Sequence, residues 1–112
     1  LARFFERAGV SPSDAEAVGL IAPRRSGRGH YDRFRHRLMF PVTDVHGRVV
    51  AFSGRALADA PSMEEQKEPP AKYLNSPESP IFRKRATLFC LDRARPAIRE
   101  RREAVVVEGY FD

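Results

Sequence analysis

Residues Tyr31-Asp32-Arg33-Phe34-Arg35-His36-Arg37 alternate cations with aromatic and polar side chains directly before an apolar run. On an extended backbone Arg33, Arg35 and Arg37 project from one face, a row of guanidinium forks that match phosphate oxygens. A solvated strand edge kept soluble by charge would show the same pattern. Phe52-Ser53-Gly54-Arg55 combines small residues, which let backbone approach a ligand, with an arginine reaching from a strand end. Lys72-Tyr73-Leu74-Asn75-Ser76-Pro77-Glu78 offers a cation for a phosphate, a ring for stacking a base and an amide for its edge. An ordinary turn with a packed tyrosine has that composition too. Glu108-Gly109-Tyr110-Phe111-Asp112 stands where a β-branched run ends, and open α/β sheets build their sites at the carboxyl ends of strands. A lone glutamate at a strand end is nonetheless more often structural than catalytic.

Other chemistries are thinly represented. Cys90 is the single cysteine, which excludes an intrachain disulfide and a cysteine-based zinc cluster; its run Leu88-Phe89-Cys90-Leu91 predicts a buried, inert thiol in a reducing compartment. His30, His36 and His46 are scattered without zinc spacing and are expected at the surface. No Gly-rich phosphate loop and no serine with a recognisable base occurs. Twenty Lys and Arg against fifteen Asp and Glu leave a net charge of +5, which favours a polyanionic partner. No apolar run approaches the roughly 18 residues of a membrane span, and no signal-peptide pattern opens the chain.

The elements that would position these groups follow from periodicity. Leu1, Phe4, Phe5 and Ala8 repeat at helical spacing and Gly9 follows as a stop; Ser11-Pro12 then gives an N-cap and first-turn proline for a second helix, so residues 1 to 22 are predicted as a helical pair. Pro23 to Gly29 is a basic loop. Leu38 to Val42 and Val49 to Phe52 flank Asp44-Val45-His46-Gly47, a β-hairpin pattern. Residues 59 to 71 are proline-rich and acidic, a surface loop. Thr87 to Leu91 is predicted as a strand and Asp92 to Arg102 as a helix turning Ala94, Ala97 and Ile98 inward, with Pro96 in its first turns. Ala104 to Val107 has the composition of a strand buried on both faces of a parallel sheet. The 112 residues suit one compact α+β unit with a modest core. The opening without methionine and the stop just after an apolar run predict a piece of something longer.

In this order, the blocks YDRFRHRLMFPVTDVHGRVVAFSGR, KYLNSPES and VVVEGYFD resemble the bacterial replicative DNA primases of DnaG type, and the likeness covers most of the chain. The resemblance implies an α+β fold: short N-terminal helices, a twisted antiparallel sheet with a hairpin, then a helix and the first strand of a TOPRIM α/β fold. It implies a basic subdomain over 1–103 and the truncated start of TOPRIM over 104–112. Arg33, Arg35, Arg55 and Lys72 match positions of a ridge that guides single-stranded template. Lys72, Tyr73, Leu74, Asn75 and Tyr110 match positions near the incoming nucleotide. Glu108 and Asp112 match catalytic acids that take part in holding Mg²⁺. The partners implied are single-stranded DNA, nucleoside triphosphates, the RNA primer and, through a further C-terminal domain, the replicative helicase. Zinc would sit in a separate N-terminal domain, and the location would be cytoplasmic. This sequence departs from the family pattern in three ways: Ser53 replaces a usual glycine, the 59–71 connection is longer, and the downstream aspartate motifs are absent.

Two other function classes remain open on the residues. A non-catalytic module binding single-stranded nucleic acid would use the same arginines without a metal. A TOPRIM nuclease or topoisomerase relative would share the EGYFD ending but leave KYLNSPES without a purpose.

Overall fold

The computed structural model describes residues 1–25, 27–58 and 71–109. Helices α1 (Ala2–Arg7) and α2 (Pro12–Ala17) come first, followed by a two-stranded antiparallel sheet of β1 (Ile21–Pro23) and β2 (His30–Asp32). A second antiparallel sheet has the order β3 (Arg37–Thr43), β4 (Val49–Ala56), β5 (Tyr73–Asn75). A 3₁₀ turn at Lys84–Ala86 leads to α3 (Leu91–Arg101). The class is α+β, as the sequence predicts.

Each helix of the N-terminal pair ends where a glycine adopts positive φ, Gly9 at 68° and Gly19 at 70°, a backbone state that a Cβ disfavours. The pair stops earlier than periodicity implied: Ile21–Pro23 is strand, because it pairs with His30–Asp32 rather than continuing α2. Ser11 does stand at the N-cap of α2, but its hydroxyl bonds the Ser13 hydroxyl at 2.7 Å and not a helix N–H. Asp32 supplies a cap from a distance, accepting from the backbone nitrogens of Leu1 and Ala2 at the start of α1 at 2.6 and 2.9 Å. The apolar face of α1 is largely open, with Leu1 48% and Phe4 57% exposed.

The β3–β4 hairpin is the best-defined element and forms where alternation placed it. Asp44 organises its turn: its carboxylate accepts from His46 N, Arg48 N and the Arg48 guanidinium at 2.7 to 3.0 Å, and Gly47 turns at φ 79°. The register skips Val50, since Val42 faces Ala51 and Thr43 faces Val49; this β-bulge lets Val50 pack on the small core of Val42, Ala51 and Phe82. α3 docks on the turn end through Asp92, which accepts from Thr43 Oγ1 at 2.8 Å, and Arg95, which donates to the Val45 carbonyl at 3.0 Å.

Several expectations for the C-terminal third fail. Thr87–Leu91 is not a strand; irregular backbone, a turn at Phe89-Cys90 with Cys90 left-handed (φ 59°) and the first residue of α3 occupy that stretch, and Cys90 is half-buried, not enclosed. Ala94 and Ile98 are half-buried on α3, but Ala97 faces solvent, and Pro96 lies at the sixth helical position. Residues 104–107 join no ladder among the described residues; Val105 and Val106 are 84% and 78% exposed. A β-branched run becomes a strand only beside another strand, and here none is adjacent among the described residues. The 59–70 stretch of the predicted loop lies outside the described residues.

The two sheets meet at Gly19. A Cβ built there would lie 2.6 Å from Pro77 Cγ and nearer still to Cδ, and its φ is positive. Strain in the left-handed region costs about 1–2 kcal/mol and overpacking about 1–3 kcal/mol, so Gly19→Ala is expected to lower unfolding free energy by about 2–5 kcal/mol. Urea unfolding checks this, and adding Pro77→Ala should return part of the deficit; a Gly19→Ala change below about 0.5 kcal/mol would show that the contact is not close-packed.

The turn carboxylate also makes a pH statement. Its removal from water acts to raise the Asp44 pKa, but three hydrogen bonds and the Arg48 charge outweigh this and hold it below the usual value. A depressed folded pKa contributes stability that is intact above the unfolded carboxylate value near 3.8 and lost as pH falls through the lower folded value. An NMR titration of the Asp44 carboxyl should give a midpoint below 3.8, with Asp44→Asn flattening the acid end of the stability profile; a midpoint at or above 3.8 would refute the assignment.

Candidate nucleic-acid interface

β4 has partners on both sides, and the pleat sorts its neighbours into two faces. One carries Leu38 and Phe40 of β3, Ser53 and Arg55 of β4, and Tyr73 and Asn75 of β5; Arg55 faces Tyr73 and Ser53 faces Asn75 directly. The other carries Met39, Gly54 and Leu74. Gly54 is buried because Phe34, Arg37 and Met39 all lie 3.0–3.1 Å from where its Cβ would be, so a side chain there would displace all three.

β5 is extended by one residue through an uncommon exchange. Ser76 N donates to the Phe52 carbonyl at 2.8 Å, and Phe52 N donates to Ser76 Oγ at 3.0 Å, so the hydroxyl replaces a backbone acceptor. Pro77 explains the geometry: it holds Ser76 extended and supplies no N–H to carry the ladder further. Ser76 is consequently 1% exposed. Glu78 then accepts from Lys84 N at 2.8 Å, pinning the 3₁₀ turn. Most of the KYLNSPES block is thus engaged in holding the fold together.

The arginine row is not a row. Residues 33–36 are bends with His36 at φ 50°, which breaks the alternation that would have aligned the three guanidiniums. Arg37 points inward and donates to the carbonyls of Gly54 at 3.1 Å and Ala71 at 2.8 Å; burial lowers its pKa. Arg33 reaches the Asn75 carbonyl at 3.4 Å, while its Nε is buried without a partner among the described residues. Arg35 lies over the Tyr31 ring at 4.9 Å.

Of the residues singled out in the sequence, the ladder therefore gathers Arg55, Tyr73 and Asn75, with Arg33 joining them through the Asn75 backbone. Leu74 shares β5 but faces the opposite side. Lys72 is exposed beside Tyr73, and its carbonyl accepts from Ala56 N at 2.8 Å. Arg35 is held instead on the first sheet. Glu108 is exposed and apart from this group in sequence and in ladder, while Tyr110 and Asp112 lie outside the described residues. Among the described residues no group of three or more His, Cys, Asp or Glu side chains could hold a metal ion. His36 and His46 are exposed, and His30 Nε2 sits 3.4 Å from a Glu16 carboxylate oxygen. Ser53 is 1% exposed with no partner for its hydroxyl among the described residues, so the face it shares with Arg55 and Asn75 is covered over at that position. Two residues have structural roles that the sequence did not assign to them, Ser76 and Arg37; the proline after the first was the available signal, and the second needed the register.

Comparison with known proteins gives a consistent result. Residues 1–95 match the family model for the DNA primase catalytic core, N-terminal domain. DNA primase of Synechocystis is 54% identical over 97 residues, covering 87% of this chain and 14% of that protein. Staphylococcus aureus DNA primase is 42% identical over 109 residues, covering 97% and 17%. The RNA polymerase domain of Mycobacterium tuberculosis primase DnaG, in complex with a double-stranded DNA oligomer with a 6-nucleotide overhang, has a TM-score of 0.80 at 38% identity, covering 96% of this chain and 31% of that one. A DnaG primase catalytic domain bound to single-stranded DNA has a TM-score of 0.71 at 37% identity, covering 96% and 32%. The Aquifex aeolicus primase, comprising zinc-binding and RNA polymerase domains, has a TM-score of 0.78 at 32% identity, covering 97% and 25%. The chain spans about one-seventh of the length of the curated relatives it matches. With most of its residues inside that model and its fold shared with the solved cores, the chain belongs to the DnaG-type DNA primase family, as an N-terminal domain of the catalytic core.

Proposed function

We propose that this chain is the template-handling part of a DNA primase, binding single-stranded DNA and incoming nucleotide while the parent enzyme builds an RNA primer. The observation that carries this is the pairing of Arg55 with Tyr73 and of Ser53 with Asn75, which sets a cation, a ring and an amide side by side on one sheet face. A cation beside a stacking surface is what an unpaired strand needs. Arg33, Arg35, Arg55 and Lys72 act as phosphate holders; Lys72, Tyr73, Asn75 and Tyr110 lie toward the nucleotide, with Leu74 on the other face of the strand that carries Tyr73 and Asn75. The relatives solved with single-stranded and overhanging DNA support the same partner. No relative supports the non-catalytic module over the enzyme.

Residues 1–103 form the basic subdomain in this account and 104–112 begin the TOPRIM fold, where the β-branched run at 104–107 would find its neighbours. Glu108 and Asp112 serve there as catalytic acids. These two carboxylates do not make a Mg²⁺ site by themselves, so further ligands would come from outside this chain; when complete, such a centre would neutralise phosphate charge during attack by a ribose hydroxyl. Zinc belongs to a separate domain such as the Aquifex relative has. The helicase would be reached through another domain, and the work would be done in the cytoplasm; among the described residues no helix is long and apolar enough to cross a membrane.

Single-strand binding through phosphates should weaken with salt by about 0.7 log units per contact per decade. Arg55→Ala or Lys72→Ala is expected to shallow that slope by about 0.7 each and to weaken unrelated sequences alike. In the full-length enzyme Glu108→Gln should leave template affinity within about twofold and abolish primer synthesis. Fluorescence anisotropy across a salt series, paired with a primer-synthesis assay, decides. Unchanged slopes in the two alanine variants would reject the phosphate contacts, and normal synthesis by Glu108→Gln would reject the catalytic acid.

A further inference from the structure

The net charge of the chain is concentrated in one stretch away from the strand-face cations. Residues 83–102 hold eight cations against two acids, a net +6, while the other twelve cations and thirteen acids leave the remainder at −1. The cations of the two regions are also held differently. Arg33 and Arg37 donate to backbone carbonyls, and Arg35 lies over a ring. Of the eight cations in the 83–102 stretch, Arg95 alone has a partner for its side chain among the described residues, the Val45 carbonyl. Helix polarity accounts for Arg99 and Arg101 in the last turn of α3. It does not account for the six others.

α3 presents its charges rigidly. Asp92 and Arg95 fasten the helix to the β3–β4 turn. Arg93, Ala97 and Arg101 follow at four-residue spacing and are all exposed, which puts two arginines about 12 Å apart along one helix face with a small residue between them. Arg99 and Arg102 are exposed as well. α3 contains no aromatic residue. Single strands are gripped through stacking of their unpaired bases as well as through phosphates. A duplex hides its bases, offers about one charge per 1.7 Å of axis and asks only for cations.

We propose that α3 is a second nucleic-acid surface that binds the phosphate backbone of a double helix, distinct from the aromatic-lined sheet face that takes the single strand. It rests on the primase reading for its biological ligand, since that reading supplies a template–primer duplex next to an unpaired template. Its sequence-independent character follows from the contacts proposed, which go to phosphates and carry no sequence information.

The test compares two labelled probes, a short mixed-sequence DNA duplex and one of its strands alone, by anisotropy across a salt series on the 112-residue chain. The fourfold variant Arg93→Gln, Arg99→Gln, Arg101→Gln, Arg102→Gln keeps good helix formers. It should lower duplex affinity by at least about tenfold and shallow its slope by about 0.9 for each phosphate no longer neutralised, with single-strand affinity changed by less than about twofold. The fourfold Arg→Lys variant should retain duplex binding, since the phosphates need charge and not a fork; this also shows that weaker binding by the glutamine variant comes from charge rather than unfolding. Unchanged duplex binding in the glutamine variant overturns the proposal, as does an equal weakening for both probes, which would mark undirected attraction. Arg55→Ala with unchanged single-strand binding would instead sink the sheet-face assignment and leave the duplex surface standing.

Discussion

The exchange between Ser76 and Phe52 is the interaction on which the rest of the arrangement depends. β5 is three residues long, at the short end of the usual range, so each added bond to β4 counts. Ser76 lengthens it by giving its N–H to the Phe52 carbonyl and its hydroxyl oxygen to the Phe52 N–H. The next residue makes this necessary, because Pro77 has no N–H and fixes Ser76 extended. The same proline ring packs on Gly19, and the following Glu78 holds the 3₁₀ turn. Three consecutive residues thereby join the helical N-terminus, the sheet and the approach to α3.

Function rides on this clasp. Arg55, Tyr73 and Asn75 share a face only while β5 keeps its register on β4; a slip of one residue would send Tyr73 and Asn75 to the other side. Gly54 allows Phe34, Arg37 and Met39 to close the opposite face, while the face of Arg55 and Asn75 is covered toward Ser53, Val42 and Ala51 and opens toward Leu38 and Asn75. Arg33, Arg35 and Arg37, near the clasp, are held by carbonyls or by a ring, which limits the entropy given up when a ligand arrives. On α3 the arginines other than Arg95 have no side-chain partner among the described residues, which suits a surface that follows a regular backbone without selecting a strand conformation.

Elements whose own period decides their structure were legible in the sequence: α1, α2, the β3–β4 hairpin with its Asp44 turn, and α3. Elements that exist only through a partner were not. Ile21–Pro23 reads as a helix continuation until His30–Asp32 lies beside it. Thr87–Leu91 and 104–107 read as strands but have no ladder partner among the described residues. The three alternating arginines of 33–37 suggested one face, and a single left-handed residue, His36, removed it. For the candidate site, motif likeness singled out the segments, whereas the meeting of Arg55 with Tyr73 depends on a register between strands separated by a long connection. The burial of Ser53 cannot be seen in one dimension.

Native-state amide hydrogen exchange on Ser76→Ala measures the clasp most directly. Removing the hydroxyl leaves Phe52 N–H without its acceptor while the hairpin keeps its own bonds. Faster exchange is expected at Phe52 together with the amides of the β4–β5 ladder, Ala56 included, and unchanged protection in the β3–β4 turn at His46 and Arg48. Acceleration confined to Phe52, with the β4–β5 ladder as protected as before, would contradict the account, for β5 would then hold its register without Ser76.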